Sequence, residues 1–145
     1  MKTKVVVGAR ILLGLVFFVL GLNGFLHFIP QPPISGPPAA LLGAMIGSGY
    51  LFALVKGTEV ACGALLLSGR FVPLALAVLA PVIVNIVAFH AFLAPSGLPV
   101  PIVVVALEVF LAWSYRSVFR PMLDARAMPD APADPAARPA EAAAA

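Results

Sequence analysis

The longest apolar stretch of the chain covers residues 5–29, where only Arg10, Asn23 and His27 interrupt the apolar side chains. At ~1.5 Å per residue, a helix of this length can cross the ~30 Å hydrocarbon core of a bilayer. The run is longer than the apolar core of a signal peptide, and no Ala-x-Ala cleavage site follows it. We therefore predict that residues 5–29 form a retained first transmembrane helix.

The composition places the rest of the chain in a membrane as well. Apolar residues make up 62% of the 145 residues and charged residues only 10%, and a small soluble domain could not cover its surface with so few charges. The nine cations are scattered singly, which argues against a nucleic-acid partner. The sequence therefore predicts an all-α integral membrane protein whose immediate partner is the lipid bilayer.

Proline and glycine divide the remaining chain into further segments. A proline-rich loop over residues 30–38 ends the first span, because proline lacks a backbone donor. The hydropathy then predicts a short interfacial or re-entrant helix at 39–54 and three further spans, at 50–68, 71–93 and 100–119. Residues 1–120 are thus predicted to form a four-transmembrane-helix bundle. Residues 121–145, rich in Ala and Pro, are predicted to form a disordered cytoplasmic tail.

The basic residues support this arrangement of spans. With four spans they fall on one side of the membrane, at Lys2, Lys4, Arg70, Arg116, Arg120 and Arg126, whereas the loops on the opposite side contain no Lys or Arg. The positive-inside rule then places both termini in the cytoplasm, in a plasma or inner membrane. A fifth span over residues 39–54 would put Arg70 on the opposite side from Lys4.

Polar side chains inside the spans are the candidate functional residues, because a charge at the centre of a span costs ~2.5–3.5 kcal/mol. The predicted intramembrane polar site consists of Glu59, Asn85, His90, Lys56, Glu108, Asn23 and Arg10. Helical spacing places Lys56 and Glu59 on one face. Lys56 can pair with Glu59 on its own helix or with Glu108 across the bundle, and the sequence leaves both pairings open. Asn85 is expected to point inwards, either towards a substrate or as a cap for carbonyls freed by Pro81.

Motifs for self-contained chemistry are missing from the sequence. The histidines, carboxylates and single cysteine show no metal-ligand spacing, and no phosphate-binding loop or catalytic triad is present. We therefore predict no metal site, and a chain that is not catalytic on its own.

Three segments resemble the DoxX family of small four-helix membrane proteins. They are residues 12–25 (LLGLVFFVLGLNGF), 59–70 (EVACGALLLSGR) and 80–90 (APVIVNIVAFH). The resemblance covers about residues 10–95 and implies a small membrane subunit or anchor of a quinone-linked oxidoreductase complex. It carries Glu59, Asn85 and His90 over as family-typical positions, followed by Arg10 and Asn23. It also implies quinone as the cofactor and a soluble or membrane redox protein as the partner.

Two other functions fit the same sequence. The charged residues near the middle of the spans could form the relay of a small proton-coupled transporter. Four spans are few for a transporter, so this function is more consistent with a homo-oligomer than with a single chain. The same residues could instead neutralise one another between the helices of a structural or assembly protein.

Overall fold

The regular elements of the computed structural model, which describes residues 2–30, 33–126 and 128, are all helices. They are α1 (Lys2–Leu26), α2 (Pro37–Gly47), α3 (Leu51–Ser68), α4 (Val72–Phe92), α5 (Pro99–Ser114) and α6 (Arg116–Phe119), with 3-10 turns at Pro95–Gly97 and Arg120–Leu123. Three helices, α1, α3 and α4, are long and apolar enough to cross a membrane. The bent pair of α5 with the segment after it makes a fourth if it is counted as one span. These are the features of a helical membrane protein.

The first helix ends earlier than the predicted residue 29. α1 stops at Leu26, and His27 turns the chain with a left-handed φ of 52°. The turn is held by the side chain of Asn23, whose Oδ1 accepts a hydrogen bond from the backbone N–H of Ile29 (2.6 Å) and whose Nδ2 donates to the Ile29 carbonyl (3.3 Å). Asn23 therefore closes the end of α1.

Replacing Asn23 with alanine is expected to lower the free energy of unfolding by about 1–3 kcal/mol, because the turn after α1 loses both hydrogen bonds to the buried Asn23 side chain. Unfolding in mixed detergent micelles measures the change. Asn85→Ala is the control, since the Asn85 side chain makes no hydrogen bond to any described residue. Equal losses in the two variants would contradict the capping role.

The short second helix is displaced relative to its predicted bounds of 39–54. It starts at Pro37, inside the predicted loop, because Pro37 and Pro38 fit the first turn of a helix, where no backbone donor is needed. It ends at Gly47, and Gly49, with a φ of 78°, separates it from α3. The prediction that this segment continues to residue 54 is therefore wrong.

The helix at the predicted fourth span is also shorter than predicted. α5 ends at Ser114 and not at residue 119, and the chain bends by 75° before α6. The bend is centred on Tyr115, whose φ of −100° and ψ of 16° leave the helical region. Tyr115 and Phe119 both pack against the apolar core, which holds the segment after the bend across the end of α5. Helical backbone continues to Leu123, past the predicted start of the tail, and residues 129–145 of that tail lie outside the described residues.

The closest helix packing in the bundle joins α1 to α3 through glycine. A Cβ added at Gly63 would lie 2.6 Å from the backbone nitrogen of Phe18, and one at Gly21 would lie 2.9 Å from Cγ2 of Val60. Small residues let two membrane helices approach until their backbones nearly touch. The core beside this contact contains fully buried leucines from four helices, at Leu13, Leu66, Leu76, Leu79 and Leu111.

Candidate functional site

A cleft of about 350 Å³ opens between α2, α3 and α4, and we refer to it as the α2–α4 cleft. Apolar side chains form most of its wall, at Leu41, Leu42, Met45, Phe52, Val55, Pro81, Val82, Ile86 and Phe89. Four polar residues line it as well, namely Lys56, Glu59, Asn85 and His90. A cavity of this volume lies at the lower end of the ~300–1,000 Å³ range of small-molecule sites, which combine apolar walls with a few polar groups.

The innermost polar group of the cleft is an ion pair within α3. The Lys56 ammonium donates to Glu59 Oε2 at 2.7 Å, with the Glu59 side chain 4% exposed and that of Lys56 24% exposed. The structure therefore pairs Lys56 with Glu59 on its own helix, and not with Glu108 across the bundle. The ammonium has two more N–H groups, and neither donates to another described residue. Both are available to a molecule in the cleft.

A glycine on α1 makes room for Lys56. A Cβ added at Gly24 would lie 2.7 Å from both Cγ and Cδ of Lys56, so the lysine stem packs directly on the α1 backbone. The stem of a lysine is apolar and packs well on such a surface while its charged end remains accessible. Gly24 therefore helps to hold the ammonium at the cleft.

Asn85 and His90 form the polar part of the α4 wall. Their spacing of five residues predicts that they point well apart, yet both line the cleft. Asn85 is exposed at the cleft and does not point into the helix bundle, and its side chain does not cap the carbonyls freed by Pro81. Its amide makes no hydrogen bond to a described residue, so both its donor and its acceptor are available to a ligand.

The hydrogen bond of His90 fixes its tautomer. His90 Nδ1 lies 2.8 Å from the carbonyl of Ile86, and since a carbonyl only accepts, Nδ1 carries the hydrogen. In the neutral ring Nε2 is then an acceptor. A Cβ added at Gly97 would lie 3.0 Å from Nε2, so the ring fits only because the 3-10 turn presents a glycine to it.

Helix α2 forms one wall of the cleft, and sequence reasoning did not assign it to the site. Leu41, Leu42 and Met45 of α2 line the cleft, and none of the residues of α2 is buried. The helix lies between two glycines in left-handed conformation, Gly36 (φ 68°) and Gly49 (φ 78°). The spacing of the three apolar side chains places them on one helical face, which was the available signal.

The other three predicted site residues lie elsewhere. Glu108 is buried on α5, where its Oε2 has no hydrogen-bond partner among the described residues, and it does not line the cleft. Asn23 caps the end of α1. Arg10 lies against Gly69, at the C-terminal end of α3, where the helix dipole favours a cation. The predicted polar site is therefore divided among separate places in the bundle.

The arrangement of the cleft suits a flat apolar molecule that carries carbonyl or hydroxyl groups. Lys56 and Asn85 supply hydrogen-bond donors, and the Asn85 carbonyl supplies an acceptor. Among the described residues, no group of three His, Cys, Asp or Glu side chains is placed to hold a metal ion.

Comparisons with known proteins produce no match to the chain, whether with family models, with curated proteins or with solved structures. The resemblance to the DoxX family therefore stays a prediction from the three sequence segments.

Proposed function

We propose that the chain is a DoxX-type protein with four membrane spans and both termini in the cytoplasm, and that it is a small membrane subunit or anchor of a quinone-linked oxidoreductase complex. The observation that carries the proposal is the α2–α4 cleft, whose apolar wall surrounds the Lys56–Glu59 pair, Asn85 and His90. The bent pair of α5 and the segment after it supports the fourth crossing, in which α5 crosses the membrane and the segment after the bend lies at its surface. The distribution of basic residues supports the orientation.

The residues of the cleft fit a quinone ring. Its two carbonyl oxygens accept hydrogen bonds, and Lys56 and Asn85 have N–H groups that no described residue occupies. The hydroxyl groups of the reduced form donate, and the side-chain carbonyl of Asn85 accepts. A quinone supplies two-electron, two-proton chemistry when it is bound, and the chain's own side chains hold the ring and exclude water from it. The proposal assigns electron delivery to a redox partner protein, as the resemblance implies.

Purification in mild detergent tests the proposal by the amount of quinone that is extracted per protein. The wild-type chain is expected to retain quinone, and Asn85→Val is expected to reduce its affinity about 5- to 10-fold, the loss of one hydrogen bond. Val84→Ala is the matched control, because Val84 is the neighbouring residue on α4, is 69% exposed and does not line the cleft. It should retain quinone as the wild type does.

Mass spectrometry of the same preparations tests the claim of a redox partner. A soluble or membrane oxidoreductase that is purified together with the chain supports the role of a subunit or anchor. Wild-type protein without quinone, or equal quinone in wild type and Asn85→Val, would overturn the assignment of the cleft.

A proton-coupled transporter receives less support from the geometry. A relay through Lys56, Glu59 and Glu108 needs the three groups in one path, and Glu108 does not line the cleft with the other two. Proton-linked uptake into vesicles by quinone-free protein, abolished by Glu59→Gln, would favour transport over the redox function.

A further inference from the structure

A second cavity, a groove with polar walls, lies at the end of α5, away from the α2–α4 cleft. We call it the arginine groove. It has a volume of about 320 Å³ and is lined by Ser114, Arg116, Ser117 and Arg120. The 75° bend at the end of α5 creates it, because the bend turns the chain across the end of the helix. In a chain that spans the membrane, this place is the level of the lipid headgroups.

The two guanidinium groups of the groove have no carboxylate partner in the described part of the chain. Lys56–Glu59 is the ion pair among the described residues, and no described carboxylate oxygen lies within 4.0 Å of Arg116 or Arg120. Asp124, the acidic residue that follows them in the chain, accepts a hydrogen bond from the backbone N–H of Arg126 instead. The groove therefore carries two positive charges.

Arg116 is oriented before any ligand binds. Its Nη1 donates to the carbonyl of Trp113 at 3.2 Å, and its Cζ lies 5.4 Å from the centre of the Trp113 ring. The Ser114 hydroxyl donates to the carbonyl of Phe110 at 2.8 Å, so its hydrogen is already used. The Ser117 hydroxyl donates to no described residue and can donate to a ligand in the groove. Two arginines and one hydroxyl donor form an arrangement that binds phosphate oxygens.

Apolar side chains surround the groove on the outside. Trp113 is 70% exposed, and Val118 and Met122 are exposed as well. Arg116 and Arg120 are four residues apart, as are Val118 and Met122, so the charged and the apolar side chains occupy different faces of the segment after the bend. Such a segment lies in the interface, with its apolar face towards the acyl chains and its cations at the headgroups.

We propose that the arginine groove binds the phosphate group of an anionic phospholipid, with the acyl chains of that lipid packed beside Trp113 and Val118. The exposed apolar side chains favour a lipid over a free phosphate ion, because an ion has no part that covers them. The site is independent of the α2–α4 cleft and of the function proposed for it.

The fluorescence of Trp113, the single tryptophan of the chain, reports on this site directly. The protein is reconstituted in mixed micelles with brominated phosphatidylglycerol or brominated phosphatidylcholine, and quenching of Trp113 is measured against the mole fraction of each lipid. Wild-type protein is expected to be quenched at a lower mole fraction of phosphatidylglycerol than of phosphatidylcholine. The variant Arg116→Gln/Arg120→Gln is expected to weaken binding of phosphatidylglycerol about 30-fold, which corresponds to the loss of two arginine–phosphate attractions.

Arg70→Gln is the matched control, because Arg70 is an exposed arginine at the same end of the bundle and does not line the groove. It should keep the wild-type preference, and an equal loss in Arg70→Gln would show a general attraction of charge and overturn the site. If inorganic phosphate competes with phosphatidylglycerol at equal concentration, the groove is a site for free phosphate, and the proposal of a lipid ligand is overturned. If the double variant does not fold, the wild-type comparison decides alone, since equal quenching by the two lipids contradicts the proposal.

Discussion

Replacing Gly63 with valine is expected to prevent the stable packing of α1 on α3. The added Cβ would lie 2.6 Å from the backbone nitrogen and 2.9 Å from Cα of Phe18. Backbone atoms cannot move aside as the end of a flexible side chain can, so the two helices must separate. We expect a loss of about 3 kcal/mol or more in the free energy of unfolding, at the upper end of overpacking effects. That is a large part of the stability of a small protein.

Gly57→Val on the same helix is the control for this prediction. A Cβ at Gly57 meets nothing within 4 Å, and both variants carry the same cost of placing valine in a helix. The difference between them therefore measures the helix contact alone. Size-exclusion chromatography and unfolding in mixed micelles give the result, and a Gly63→Val protein as stable as Gly57→Val would refute the close packing of α1 on α3.

The second large effect is expected from breaking the ion pair on one side only. Lys56→Met leaves the carboxylate of Glu59 buried without its cation, because no other described cation lies within 4.0 Å of it. Removing one partner of a buried ion pair typically costs about 3–5 kcal/mol, since the remaining charge has neither water nor a counterion. The free energy of unfolding in mixed micelles should fall by an amount in this range.

A double-mutant cycle separates the ion pair from the packing of the two side chains. The variant Lys56→Met/Glu59→Met replaces both charges with apolar side chains of similar length, so it should be more stable than Lys56→Met alone. Losses that simply add in the double variant would show that the two side chains do not interact.

The sequence predicts well those features that depend on local spacing. The second and third spans lie within one residue of their predicted bounds at both ends, because charged and turn residues mark where each apolar run stops. The shared face of Lys56 and Glu59 follows from helical spacing alone. Gly63 belongs to the same face, and the structure places it against α1.

Features that depend on contacts between helices were not predictable in this way. A polar stretch at residues 114–117 interrupts the apolar run of residues 100–119, but hydropathy alone does not show that the helix bends at Tyr115. The position of Glu108 within a span makes it a candidate for the same polar site as Glu59, but a position along the sequence does not specify which neighbours a side chain faces. For Asn85 and His90, helical spacing predicts side chains that point apart. The cleft is wide enough that both of them line it.

The pairing of Lys56 with Glu59 inside α3 bears on how the protein is made. A chain enters the membrane in the order of its synthesis, so α3 reaches the bilayer before α4 and α5. Because its two charges lie three residues apart on one helix, α3 brings its own counterion and can leave the insertion machinery as an electrically neutral segment. A pair between Lys56 and Glu108 would have left an uncompensated charge in the bilayer until the last helix was complete. We therefore expect α3 to insert without the C-terminal half of the chain.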